Sequence, residues 1–243
     1  MTRASDLPGY RRRIRIEPRE HVVTAMLEDD IHAMAVTLRH DGERVTAVEP
    51  FVHRAPWNVC PGAQAQLVQT FAGAALGEVI GQREKWTNCT HLHDLAVLAA
   101  SHARDGGGLV YDIFVSDVAA GQRILEIRRD GCTVLEWIER DRVLVSPPQV
   151  AGQKLRGLRD WIRTLDGDER EAARLLQWAS MVAQGRAVAR EDQSDPRTLS
   201  LTCYTFQPEN VVHAVRIGNT YDFSDGSRVP LGAFGDKLLA WKN

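Results

Sequence analysis

Along this chain apolar residues first recur at every second position, in short runs separated by turn residues, and then at every third or fourth position. The segment Tyr10-Arg11-Arg12-Arg13-Ile14-Arg15-Ile16 ends in alternating Arg and Ile. It predicts an exposed edge strand whose charge discourages stray pairing. His21–Leu27 and Ile31–Leu38 predict strands on either side of the acidic turn Glu28-Asp29-Asp30. His40-Asp41-Gly42-Glu43 is a hairpin signal, because Asp-Gly supplies the positive φ a tight turn requires. Val45–Val52 is then the returning strand. The stretch Pro56 to Gly62 breaks the strand pattern, and Pro61 suits the first turn of a helix. Ala63, Leu67, Val68, Phe71 and Ala75 follow at helical spacing. A second helix is expected from Thr90 to Arg104, and Asp105-Gly106-Gly107-Gly108 ends it.

The pattern then starts again. Leu109–Val115, Arg123–Ile127 and Thr133–Ile138 read as strands, with a hairpin turn at Arg129-Asp130-Gly131. Pro147-Pro148 interrupts them, and helices are expected over 151–165 and 168–185. The segments "LRHDGERVTAVE" and "IRRDGCTVLEWI" occupy equivalent places in the two runs. The expected fold class is therefore α+β, with two related halves. Each half is an antiparallel sheet followed by two helices, and a β-rich C-terminal segment completes the chain. The corresponding domain division is 1–105, 106–190 and 191–243, with the second half read as a duplication of the first.

Composition narrows the function. The 243 residues suffice for real cores, and a net charge of -2 gives no global attraction to nucleic acid or to an anionic membrane. No apolar run approaches the ~20 residues of a membrane span, and the N-terminus lacks the apolar centre of a signal peptide. A cytoplasmic protein is the expectation. Its four cysteines are widely spaced, which favours reduced thiols or metal ligands over a disulfide framework. No phosphate-cradling glycine loop, dinucleotide fingerprint or serine nucleophile elbow is present.

The candidate chemistry gathers around two cysteines. Cys60 and Cys89 each follow a break and each open a predicted helix, where free N–H groups favour a thiolate. Beside Cys89 lie His91, His93 and Asp94. On a helix His91 and His93 point about 200° apart, so only one of them joins a shared ion. His91 is taken as the ligand and His93 as its neighbour with a catalytic role. A buried cysteine is also an ordinary apolar filler and a helix-starting Asp an ordinary cap; it is the combination that marks the place. The acidic turn offers a hard ligand with His32 nearby. Arg54 and Trp57 flank Cys60, suited to an anionic group and to an aromatic wall.

Two resemblances follow from these residues. "YRRRIRI", "LEDDIHAMAVTLRHDG", "PWNVCPGA" and "NCTHLHDLAVLAA" resemble a bacterial family catalogued only as a domain of unknown function. Residues 28–104 are also similar, in their order of features, to iron–sulfur cluster scaffold proteins of the IscU/NifU type. That resemblance matches Asp30 before "IHAMAVTL", Cys60 in "CPGAQAQLVQTFAG" and Cys89 in "NCTHLHDLAVLA" to positions that bind zinc or a cluster. The chain has Glu28 and Asp29 where the family has its first cysteine, and Asn88 where it has a histidine, with His91 close by.

Three functions are then in competition. The first is an enzyme, a lyase or hydrolase, that uses zinc or iron held by Asp30, Cys60, Cys89 and His91. Its substrate is a small anionic or aromatic molecule, and His32, Arg54 and His93 serve as catalytic groups. The second is a metal-free acid/base lyase or hydrolase using His32 or His91. The third is a non-enzymatic carrier of metal or of an iron–sulfur cluster.

Overall fold

A computed structural model describes residues 6–81, 85–187, 195–198, 203–217 and 220–235. They form eight β-strands, paired antiparallel, and six α-helices. Two compact units divide the chain: Ile14–Leu109 with Ala189–Tyr221 and Leu231–Asn243, and Met1–Arg13 with Val110–Val188 and Asp222–Pro230. They are called here the first and the second unit. None of the described helices is long and apolar enough to cross a membrane.

In the first unit β2 (Val22–Glu28), β3 (Ala33–His40) and β4 (Val45–Arg54) form a meander. Pairing places Thr24 opposite Thr37, and their hydroxyls meet at 2.7 Å inside the core. The turn between β3 and β4 is the expected one: Asp41 accepts from the amides of Glu43 and Arg44 at 2.9 and 2.7 Å. Helix α1 (Ala63–Phe71) packs on β4, while α2 (Leu76–Gly81) packs on α3 (Thr90–Ser101). Helix α3 lies across β2 and β3 and buries Leu92, Leu95, Ala96 and Ala99 completely. Nearly every α3 side chain is buried, so the helix is enclosed on all sides rather than on one stripe. That is why two histidines at its start are carried into the interior.

The second unit repeats strand-then-helix order. It comprises β5 (Leu109–Ser116), β6 (Gln122–Arg129), β7 (Cys132–Arg140) and β8 (Val143–Ser146), then α4 (Arg159–Thr164) and α5 (Gly167–Ala183). Asp130 and Gly131 join β6 to β7 with φ of 48° and 81°. These are the two positive values that a two-residue hairpin turn needs. Register places Arg123 opposite Glu139, and the two form a buried bidentate pair at 2.8 and 3.2 Å. Helix α5 packs on β6 and β7, and Tyr111 donates to Glu171 at 2.8 Å.

Strand β1 (Gly9–Arg19) corrects one expectation. It has a hydrogen-bonded neighbour strand on either side, so it is not an edge strand. Ile14 and Ile16 are fully buried and Arg12 is nearly so, with its guanidinium 4.4 Å over the Trp178 ring. The arginine alternation reflects one face of a paired strand, its charges sheltered by aromatic stacking and carboxylates, rather than protection of an open edge.

Within the C-terminal segment, 191–194, 199–202, 218–219 and 236–243 lie outside the described residues. What is described there is two short 3-10 turns (Pro196–Thr198 and Tyr204–Phe206), α6 (Pro208–Val211) and a single bridge between Arg216 and Trp57.

Candidate functional site

The site is built on the tight connection between β2 and β3. Glu28 pairs with Ala33, and the Asp29 amide donates to the His32 carbonyl at 2.9 Å, closing a four-residue turn. Asp29 is fully buried. Its Oδ1 accepts from the amides of Ile31 and His32, both at 2.8 Å. A carboxylate held this way fixes the local backbone and leaves its outer lone pairs directed at the ring of His32. His32 Nδ1 lies 3.1 Å from Asp29 Oδ1 and 3.3 Å from Oδ2.

Because α3 crosses β2 and β3, its first turn delivers His91 to this connection. The His32 and His91 rings stack at 3.8 Å between centroids, 25° from parallel. Asp29, His32 and His91 each offer a ligand atom within 4.8 Å of the others, and all three residues are buried. Two imidazoles and one carboxylate converging from two chain segments are a donor set suited to zinc or iron.

Arg54 braces the same connection from the end of β4. Pairing sets Ala33 between Glu28 and Arg54, so the two charged side chains flank it on one face. Arg54 Nη2 donates to Glu28 Oε1 at 3.1 Å, to the Asp29 carbonyl at 2.5 Å and to the His32 carbonyl at 3.3 Å. Glu28 Oε2 accepts from the Leu231 amide at 2.6 Å. The Tyr221 ring covers the guanidinium at 3.9 Å. Arg54 Nε and Nη1 are buried with no hydrogen-bond partner among the described residues. Buried donors on a cation are costly to leave unmade.

The remaining candidates fall elsewhere in the first unit. Asp30, adjacent to Asp29, is buried, and its carbonyl accepts from the Tyr221 amide at 2.8 Å. His93 packs its ring against Phe71 at 5.2 Å, with Nδ1 3.9 Å from Asp94 Oδ1, an electrostatic approach too long for a hydrogen bond. Both His93 ring nitrogens are buried and unpartnered among the described residues. Asp94 also meets Lys85 at 2.5 Å. Burial opposes ionisation of Asp94, but the Lys85 charge prevails and holds the carboxyl below its usual range. Trp57 is buried, in edge contact with Phe206 at 6.0 Å.

Cys60 opens the 3-10 turn Cys60–Gly62, and Cys89 caps α3, so both stand at helix starts as the pattern predicts. Cys60 Sγ is 3.4 Å from Thr205 Oγ1. Burial pushes the Cys60 thiol up, with Thr205 opposing. Burial, with the Cys60 charge adding to it, pushes Cys89 up to about 12, although the amides of Leu92 and His91 pull the other way. The helix start does favour the thiolate, but desolvation outweighs it. Burial likewise raises the Cys203 thiol. Neither Cys60 nor Cys89 belongs to the Asp29–His32–His91 group. Of the residues the sequence singles out, the structure therefore joins His32 and His91 directly and places Arg54 against the backbone that carries His32. Asp29 is the member that pattern alone does not pick out.

No family model, curated protein or solved structure matches the chain.

Proposed function

We propose that the protein is a metal-dependent enzyme, a lyase or hydrolase, whose zinc or iron ion is held by Asp29, His32 and His91. The observation that carries this reading is the convergence of the three buried ligand atoms within 4.8 Å of one another. A metal with three protein ligands keeps open positions for water or substrate. An ion held there would supply Lewis acidity, lowering the pKa of a bound water or polarising a carbonyl oxygen. Asp29 would also set the ring orientation of His32, as carboxylates beside metal-bound imidazoles do. Arg54 supports a small anionic substrate, because its Nε and Nη1 donors are buried without protein acceptors among the described residues.

Elemental analysis and zinc titration of chelator-treated protein test the reading. One ion per chain is expected. His32→Ala and His91→Ala should each lose it, whereas Cys60→Ser and Cys89→Ser should retain it. Loss of metal in the cysteine variants alone would move the ion to the Cys60–Cys89 donor set. Absence of metal binding in the wild-type protein would refute the proposal.

A second reading rests on the 3.1 Å contact between Asp29 Oδ1 and His32 Nδ1. A carboxylate on Nδ1 leaves Nε2 as a proton acceptor, the arrangement of a general base. In that case activity survives chelation and falls in Asp29→Asn. The common order of elements in the two units, with "LRHDGERVTAVE" and "IRRDGCTVLEWI" at equivalent hairpins, supports their origin as related halves.

A further inference from the structure

The metal reading leaves the cysteines of the first unit unused, and two of them share a buried hydroxyl. Cys60, Cys89 and Cys203 all belong to this unit, and all are free thiols. Thr205 is buried, and its Oγ1 lies 3.4 Å from Cys60 Sγ. The same hydroxyl hydrogen-bonds the Cys203 thiol two residues before it. A threonine hydroxyl has one proton to donate and two lone pairs that accept, so it can serve both sulfurs at once.

The backbone around this pair is fastened on both sides of Cys60. The Tyr204 amide donates to the Asn88 carbonyl at 2.9 Å, and Gln207 Nε2 donates to the Trp86 carbonyl at 2.6 Å. Further along the same segment, the Val215 amide donates to Asn58 Oδ1 at 2.7 Å, and the Asn58 amide returns a bond to the Val215 carbonyl at 3.0 Å. The Ile217 amide donates to the Pro56 carbonyl at 2.9 Å. Glycine at 62 lets the Tyr204 ring close down on the Cys60 turn; a Cβ there would stand 2.7 Å from its hydroxyl. Cys203 is therefore brought to Cys60 by a defined set of bonds.

The two sulfurs differ in access. Cys60 is buried and Cys203 is half-buried. Burial raises both thiols, and the Thr205 hydroxyl opposes it at each. The Cys60 charge adds to the rise at Cys203, as expected for sulfurs close enough to feel one another. A desolvated site disfavours a free thiolate, whereas a disulfide is neutral and leaves no charge behind. We propose that Cys60 and Cys203 are a peroxide-oxidisable pair, whose disulfide ties the 203–217 segment to the Cys60 turn. Hydrogen peroxide oxidises the more accessible Cys203 thiol to a sulfenic acid and is itself reduced, releasing one water. The Cys60 sulfur then attacks the Cys203 sulfur. The S–O bond breaks, and the hydroxyl leaves with the Cys60 proton as a second water. Two thiols are oxidised and one peroxide is reduced to two waters. Holding the two sulfurs beside one hydroxyl makes the second step intramolecular.

Mass mapping of the full-length, chelator-treated chain after a small excess of hydrogen peroxide, with alkylation before digestion, tests this. The expected product is a monomer that has lost two hydrogens and yields a Cys60–Cys203 linked peptide pair. Its free thiols should fall from the four of the sequence to two, and return to four with dithiothreitol. Cys89→Ser should still form the bridge, and Cys203→Ser should not. Retention of all four thiols in the treated wild-type chain would overturn the proposal. So would a bridge from either cysteine to Cys89 or Cys132, or a bridge formed only between chains. These outcomes are read on the wild-type protein, so they stand even where a cysteine variant fails to fold.

Discussion

Replacing Arg54 by Met tests the structural basis of the candidate site most directly. The side chain is buried, and a single nitrogen, Nη2, reaches the Glu28 carboxylate and two backbone carbonyls. Methionine fills much of the space but leaves Glu28 charged, buried and supported only by the Leu231 amide among the contacts described above. Breaking a buried ion pair from one side costs about 3–5 kcal/mol. The unmade bonds at Nε and Nη1 reduce what Arg54 contributes in the native state, which points to the lower end, about 3 kcal/mol. At a urea m-value of about 1–3 kcal/mol/M, the midpoint should fall by roughly 1–3 M. Adding Glu28→Gln removes the orphaned charge, so the double variant should recover at least ~1 kcal/mol relative to Arg54→Met alone. Because Nη2 also holds the backbone of Asp29 and His32, zinc affinity should drop roughly 10–100-fold, as loss of an outer support does. An Arg54→Met protein within ~0.5 kcal/mol of wild type would refute the buried-pair account. Recovery absent in the double variant would refute the assignment of the cost to Glu28.

Other perturbations follow from the same packing. Leu95→Ala, at a fully buried position of α3, should cost about 2–5 kcal/mol in urea denaturation and loosen the helix that carries His91. Gly9→Ala should destabilise the second unit by about 1–3 kcal/mol, because a Cβ would press on the Val115 carbonyl and stand 2.7 Å from Ser116 Cα, both backbone atoms. Burial, with the nearby His21 and Arg104 charges against a weaker opposing Asp41, lowers His40 below its ordinary 6.5. The unfolded chain therefore takes up this proton first as pH falls. The His40 contribution is complete above 6.5 and is lost as pH drops below it toward the folded value. Thermal midpoints measured between about pH 7.5 and 5.5 should decline less steeply in His40→Asn than in wild type; equal slopes would remove His40 as a source.

Much of this fold was legible in the chain, for identifiable reasons. The Asp41-Gly42 and Asp130-Gly131 turns announce themselves through residues that tolerate positive φ, and the strands on either side follow from alternation. Helices α3 and α5, expected over 90–104 and 168–185, run over Thr90–Ser101 and Gly167–Ala183. Strand β1 was misplaced because charge on a strand is compatible with two situations. One is an open edge, and the other is a paired strand whose arginines find carboxylates and rings, as Arg13 finds Asp112 and Arg12 finds Trp178. Only the partners distinguish them, and those partners are about a hundred residues or more away. Short elements such as α2 and β8 carry too few periods to be read at all.

The site shows a finer limit of the same kind. Sequence pattern locates an acidic turn to within a residue, and here one residue decides the chemistry. Asp29 and Asp30 are adjacent carboxylates between the same two strands, and nothing in their composition ranks them. The hairpin register ranks them. With Glu28 opposite Ala33, Asp29 becomes the residue that closes the turn and caps the Ile31 and His32 amides, which carries its carboxylate to the His32 ring. A shift of one residue in that pairing would turn Glu28 to the opposite face of the sheet from Arg54, since side chains alternate along each strand. The buried pair at Glu28 and Arg54 therefore does more than contribute stability. Only one register lets it form, and in that register the carboxylate presented to His32 and His91 is Asp29.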